Sequence, residues 1–186
     1  MIVTFRREKL INAVLYFARN TKFCGKTKLM KLLYFLDFTH FQQTGKAVTE
    51  LDYYAWDFGP VPRDFFYELS GNMGDDLRKA VAVTKQSEKF EQVCAKIKPN
   101  LQYFSPREQR ILENICVIFR DVKAEEISEI SHLRNHPWDR TIKEKGESEK
   151  IDYLLAVDDG AESLSLELIQ QRVKERQEMY KTYGVI

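Results

Sequence analysis

Residues 53–62, Tyr53-Tyr54-Ala55-Trp56-Asp57-Phe58-Gly59-Pro60-Val61-Pro62, constrain this chain more than any other stretch. Four rings favour a pleated, half-buried strand. Two prolines remove N–H donors that a helix interior or a central strand requires. The pattern predicts a short strand from Tyr53 to Phe58 that closes into a rigid turn at Gly59 to Pro62. Pro62 also suits the first position of a helix running to about Leu69, because its missing N–H would be unpaired there anyway.

Helical periodicity dominates the remainder. Leu10, Ile11, Val14, Leu15 and Ala18 recur at three-and-four spacing behind Thr4 and predict a helix from about Arg6 to Arg19. Thr27 is a candidate N-cap for a second helix carrying Leu29, Leu32, Leu33, Leu36 and His40 on one stripe, ending at Gly45. Lys79 to Thr84 fits either a small strand or a helix continuing from Asp75. Ser105-Pro106-Arg107-Glu108 has the composition of a capped helix start, with Ile111, Leu112, Ile115 and Ile118 to Phe119 beyond it. A shorter helix is expected from Ala124 to Leu133, with Ile127 and Ile130 inward and a stop at His136-Pro137. Ile151 to Val157 reads as a strand, Asp158-Asp159-Gly160 as a turn, and Ser163 to Tyr183 as a last helix. The expected fold is mainly α (α+β), a compact helical domain with a small antiparallel β element. With no internal repeat and no linker-like stretch, residues 1–186 read as a single domain.

Charge and cysteine usage narrow the function classes. The net charge is +1, too small for a field that drives condensation onto nucleic acid or anionic membrane. Bases nevertheless dominate up to Lys46, and acids dominate from Glu144 to Glu167. Cys24, Cys94 and Cys116 are odd in number and far apart, which fits a reducing compartment rather than a disulfide framework or a zinc site. With neither a signal pattern nor an apolar run near ~20 residues, the expectation is a cytoplasmic protein without a membrane anchor.

Enzyme chemistry finds no foothold in the sequence. Ser131 and His132 are adjacent and do not face one another on a helix. The elbow, zinc-helix, phosphate-loop and dinucleotide motifs are missing. His40, His132 and His136 are widely separated apart from the last two, which argues against a metal site, and His40 on its apolar stripe reads as a hydrogen-bonded core histidine. The expectation is a binding protein, not an enzyme, with no cofactor and no metal. Lys22, Lys26, Lys28 and Lys31 cluster at a helix start and could touch phosphates, but no base-reading motif accompanies them, so nucleic acid is the weaker expectation.

Taken together, Lys31-Leu32-Leu33-Tyr34-Phe35-Leu36-Asp37 with His40, the Gly45 stop, Tyr53 to Trp56 and Phe58-Gly59-Pro60-Val61-Pro62 resemble the opening half of the Panacea domain, also called the SocA-like antitoxin domain. Ile127-Ser128-Glu129-Ile130-Ser131-His132 followed by Pro137-Trp138 resembles that family's second signature, and the likeness runs from about Arg6 to Trp138. The resemblance implies an antitoxin of a two-gene, type II-like toxin–antitoxin module, often carried by prophages, that neutralises its cognate toxin by direct contact. It also implies an alternative, a proteolytic adaptor handing the toxin to a AAA+ protease. The signature is carried by Leu33, Tyr34, Asp37, His40, Tyr53, Trp56, Gly59, Pro60, Val61, Pro62, His132, Pro137 and Trp138. As partner contacts the ring-bearing turn offers Tyr54, Phe58, Arg63 and Phe66, types that make binding hot spots when exposed.

Overall fold

Helix α2 (Lys26–Thr44) is the axis of the molecule, and elements from both before and after it in the chain pack against it. The computed structural model describes residues 4–88 and 90–185. Leu29, Met30, Leu32, Leu33, Tyr34, Leu36, Phe38 and Phe41 are all buried, so α2 is apolar around most of its circumference rather than along one stripe. Its N-cap is Gly25, two residues before the expected Thr27, and no side chain caps it. It ends as expected at Gly45, whose φ of 75° is the left-handed conformation that suits glycine.

Helix α1 (Arg6–Asn20) and helix α5 (Pro106–Phe119) lie against α2. The start of α5 is the capping box read from the sequence: Ser105 Oγ accepts from the Glu108 N–H, and the Glu108 carboxylate accepts from the Ser105 N–H. Glu108 is buried and paired with Lys9 at 2.6 Å, which ties α1 to α5. His40 is buried beside this pair and its Nδ1 lies 2.6 Å from the Lys46 carbonyl, the core placement expected of it. Burial lowers its pKa, against the upward pull of that carbonyl.

The aromatic segment is a hairpin, not a strand closed by a proline turn. Strand β1 (Tyr54–Trp56) pairs antiparallel with β2 (Gly59–Val61), and the two-residue turn is Asp57-Phe58. Pro60 therefore sits inside a strand, and the reason is visible in the ladder. Its partner is Ala55, whose N–H donates to Glu149 and whose carbonyl accepts from Ser148, so Pro60 has no donor to supply. The Ile151 N–H likewise reaches the Tyr53 carbonyl. Pairing expected at Ile151 to Val157 thus occurs just upstream, and Tyr153–Ala156 is a 3-10 turn instead of a strand.

Helix α3 (Arg63–Ser70) follows Pro62, which occupies the N-cap. The ambiguous 79–84 stretch is both alternatives in succession: α4 (Asp75–Ala80), then β3 (Val81–Ser87), which pairs with β4 (Phe90–Ala95). Helix α6 (Ala124–Ser131) stops before His132, and Pro137 opens helix α7 (Pro137–Lys145) rather than ending α6. Ile127 is buried but Ile130 is partly exposed, a correction to the expected inward pair. Helix α8 (Leu166–Tyr183) is capped by Ser165 and buries Ile169. The fold is mainly α with two small antiparallel hairpins, as expected. No helix among the described residues is long and apolar enough to cross a membrane.

Candidate functional site

The β1–β2 hairpin divides the signature residues into a buried floor and an exposed tip. On the floor, Asp37 is fully buried and accepts from the Thr49 N–H at 2.7 Å, the Thr49 hydroxyl and the Tyr53 hydroxyl at 2.9 Å. The Tyr153 hydroxyl stands 3.5 Å away and donates to the Leu51 carbonyl at 2.7 Å. Burial pushes the Asp37 carboxyl up to about 6, although the Thr49 and Tyr53 donors favour its charged form. Tyr34, Phe38, Tyr53 and Tyr153 pack ring against ring around it. Leu33, Tyr34, Asp37, His40 and Tyr53 are therefore interior residues that fix α2 to the hairpin's base.

A second polar cluster lies higher, beneath the turn. Gly59 has a φ of 99°, and a Cβ there would fall 2.6 Å from His132 Nε2 and 2.8 Å from both Lys31 Nζ and Ser131 Oγ. Only glycine fits that point. Lys31 is fully buried and donates to the Pro60 carbonyl at 3.0 Å. Burial alone drives its pKa down to about 7. His132 stacks on Trp138 at 4.1 Å with 20° between planes, and the Trp138 indole N–H donates to the Trp56 carbonyl at 2.8 Å. His132 Nε2 is buried without a well-formed hydrogen bond, and burial with the nearby Lys31 lowers the pKa of the ring. Gly59 and Pro60 thus converge with His132 and Trp138, although the sequence separates the two pairs by more than seventy residues.

The tip itself faces outward. Phe58 is 77% exposed and Tyr67, on α3, is 58% exposed. Trp56, Asp57, Phe58, Arg63, Tyr67 and Ser148 line an open groove of about 480 Å³. The Arg63 guanidinium lies 4.1 Å above the Tyr54 ring, a cation–π contact that holds both side chains at the groove's edge. Phe66 meets Trp56 edge-on at 5.5 Å and packs inward, so it supports the groove from behind. Of the four contact residues read from the sequence, Phe58 and Arg63 line this groove, Tyr54 lies beneath Arg63 at its edge, and Phe66 packs on Trp56 behind it. Tyr67 was missed because an aromatic beside Phe65 and Phe66 on a short helix carries no sign of which face it occupies.

The basic cluster at the start of α2 is not a surface patch. Lys28 is buried and donates to the carbonyls of Lys22 and Val122, each at 2.6 Å, while Lys31 turns under the hairpin. Lys22 pairs with Asp121 at 2.6 Å and Lys26 with Glu91 at 2.5 Å. The four ammonium groups that appear adjacent in sequence point in different directions and share no partner. No group of three or more His, Cys, Asp or Glu side chains among the described residues is placed to hold a metal ion.

The family model described as "Antitoxin SocA-like, Panacea domain" matches residues 29–139, more than half of the chain. No curated protein and no solved structure matches it. The match takes in most of α2, both hairpins and the start of α7, hence Asp37, the Gly59 cluster and the hairpin tip, while Tyr153 of the floor and Ser148 of the groove lie beyond it. The chain belongs to the SocA-like antitoxin family and carries its Panacea domain.

Proposed function

From this membership we propose that the protein neutralises a cognate toxin by direct, stoichiometric protein–protein contact rather than by catalysis, and that the hairpin tip is its principal contact. The observation that carries the reading is Phe58, left largely in water at the end of a hairpin whose base is locked into the core. Leaving a large ring in water forgoes about 2 kcal/mol of burial, which a partner pocket would recover. Tyr67, the half-buried Trp56 and the Arg63–Tyr54 pair surround it with aromatic and arginine side chains, the types that dominate binding hot spots. Asp57 and Ser148 add polar groups at the rim. A contact of standard size covers about 800 Å² on each partner, so the tip would form its centre and not its whole extent.

Coexpression with the product of the adjacent small gene tests this. The expected result is that the neighbour alone arrests growth, that this protein restores it, and that the two co-purify. A neighbour that is harmless, or a rescue without any complex, contradicts the reading.

A further inference from the structure

The hairpin tip is gripped from behind at three backbone points by side chains from three different elements. Trp138, on α7, donates its indole N–H to the Trp56 carbonyl at 2.8 Å. Lys31, on α2, donates to the Pro60 carbonyl at 3.0 Å. Between them His132, at the end of α6, presses its ring against the Phe58–Gly59 backbone, where Nε2 comes within 2.6 Å of the Gly59 Cβ position. The Phe58 backbone in turn raises the affinity of that ring for its proton. Residues 56, 58 and 60 are thus each met on the inner side of the turn.

We infer that Lys31, His132 and Trp138 are positioning residues that lock the Asp57-Phe58 turn into one shape, so that Phe58 is presented to the partner without being ordered first. The functional half of this rests on the tip being the contact, as proposed above. A two-residue turn on a three-residue hairpin is short of the strand count needed to hold itself rigid in water. Rigidity must come from outside the hairpin: residues 148–151 bond the outer edge of β1 below the turn, and these three side chains hold the turn itself. Lys31 is the most telling of them. A lysine in the interior with a carbonyl and no carboxylate partner costs stability that an apolar residue of the same length would not. Packing therefore does not explain its presence, whereas a grip on a proline carbonyl does. Pro60 cannot donate, so its carbonyl and its ring are the only handles that strand offers at this point. A rigid contact spares the partner the loss of freedom that would otherwise weaken binding.

Trp138→Phe keeps an aromatic ring against His132 and removes the indole N–H with the five-membered ring, and Lys31→Met keeps an unbranched apolar stem out to the ε position and removes the ammonium. Backbone hydrogen exchange is followed in both variants of the full chain, alongside thermal unfolding. The expected result is that amides of residues 54–61 exchange about five- to tenfold faster while those of α1, α2 and α5 keep their wild-type rates. Unchanged exchange in the hairpin overturns the lock. An equal acceleration in every helix overturns it too, because that is the signature of general destabilisation. Affinity for the co-purifying neighbour is measured in parallel with Phe58→Ala. If Phe58→Ala weakens binding and a freed tip in Trp138→Phe does not, the positioning role is overturned. If Phe58→Ala itself leaves binding unaltered, the contact surface lies elsewhere while faster exchange confined to the hairpin still supports the lock.

Discussion

Two ionisable side chains on the same helix, Asp37 and Lys31, are both withdrawn from water and live in opposite circumstances. Asp37 is saturated: two hydroxyls and a backbone N–H converge on it, and its neighbours are rings. Lys31 has one carbonyl, a glycine with no side chain, and a histidine nitrogen without a well-formed bond. A satisfied buried charge is a structural pin, and its removal leaves several donors stranded. An unsatisfied one is costly where it stands, so its role is sought in what it touches rather than in what it stabilises. The first region holds the hairpin's base to α2. The second governs the shape of its tip.

The contrast is broken most forcefully at Asp37. Asp37→Ala strands the Thr49 N–H and the hydroxyls of Thr49 and Tyr53, and should cost about 3 to 5 kcal/mol of unfolding free energy by denaturant titration. A loss under about 1 kcal/mol would mean that those donors find water and that the floor is not a pin. Gly59→Ala comes next, at about 2 to 3 kcal/mol, since it combines a φ of 99° with a Cβ driven into three polar atoms. Its damage should concentrate in the hairpin, visible as lost dispersion at residues 54–61.

Lys31→Met should move stability at pH 7 by no more than about 1 kcal/mol, in either direction, because the lost hydrogen bond and the relieved desolvation oppose each other. The sharper reading is in pH. The folded-state pKa of Lys31 is held down at about 7 against an ordinary 10.5, so between those values the unfolded chain binds a proton that the folded chain does not. Stability must then rise with pH above about 7, and the wild type should gain on Lys31→Met between pH 7 and pH 9. Asp37 has the reverse sign: with its folded pKa raised to about 6 from 3.8, its contribution falls as pH rises through that interval. Parallel curves for wild type and Lys31→Met would show that Lys31 is not desolvated as placed. Phe58→Ala should change stability least, by under about 0.5 kcal/mol, because the ring it removes is mostly in water.

Much of the scaffold was legible in the sequence where a local rule has a single outcome. Gly45 ends α2 because a left-handed residue is needed there, and Ser105 with Glu108 opens α5 because both side chains find backbone donors within one turn. The hairpin was legible as β-forming but misplaced by its turn. Proline inside β2 is acceptable only because Ala55 directs its own polar groups to Ser148 and Glu149, ninety residues away in the chain. Local pattern carries no trace of that arrangement. Lysine burial was equally hidden. Lys28 and Lys31 read as a basic face because most helices have a wet side, whereas α2 is enclosed by α1, α3, α5, α6 and the first hairpin and has little of one. In the candidate site, Phe58 and Arg63 were recognisable by type, while Lys31 as a grip and Tyr67 as a rim residue depended on the tertiary fold.

The claim at the centre is that the hairpin tip meets the partner, and one titration tests it most directly. The affinity of purified wild type and of Phe58→Ala for the co-purifying neighbour is measured by calorimetry, with thermal midpoints recorded for both. The expected result is a Kd raised at least about tenfold in Phe58→Ala with a midpoint within a few degrees of wild type. An unchanged Kd at an unchanged midpoint would contradict it and place the contact on another face of the domain.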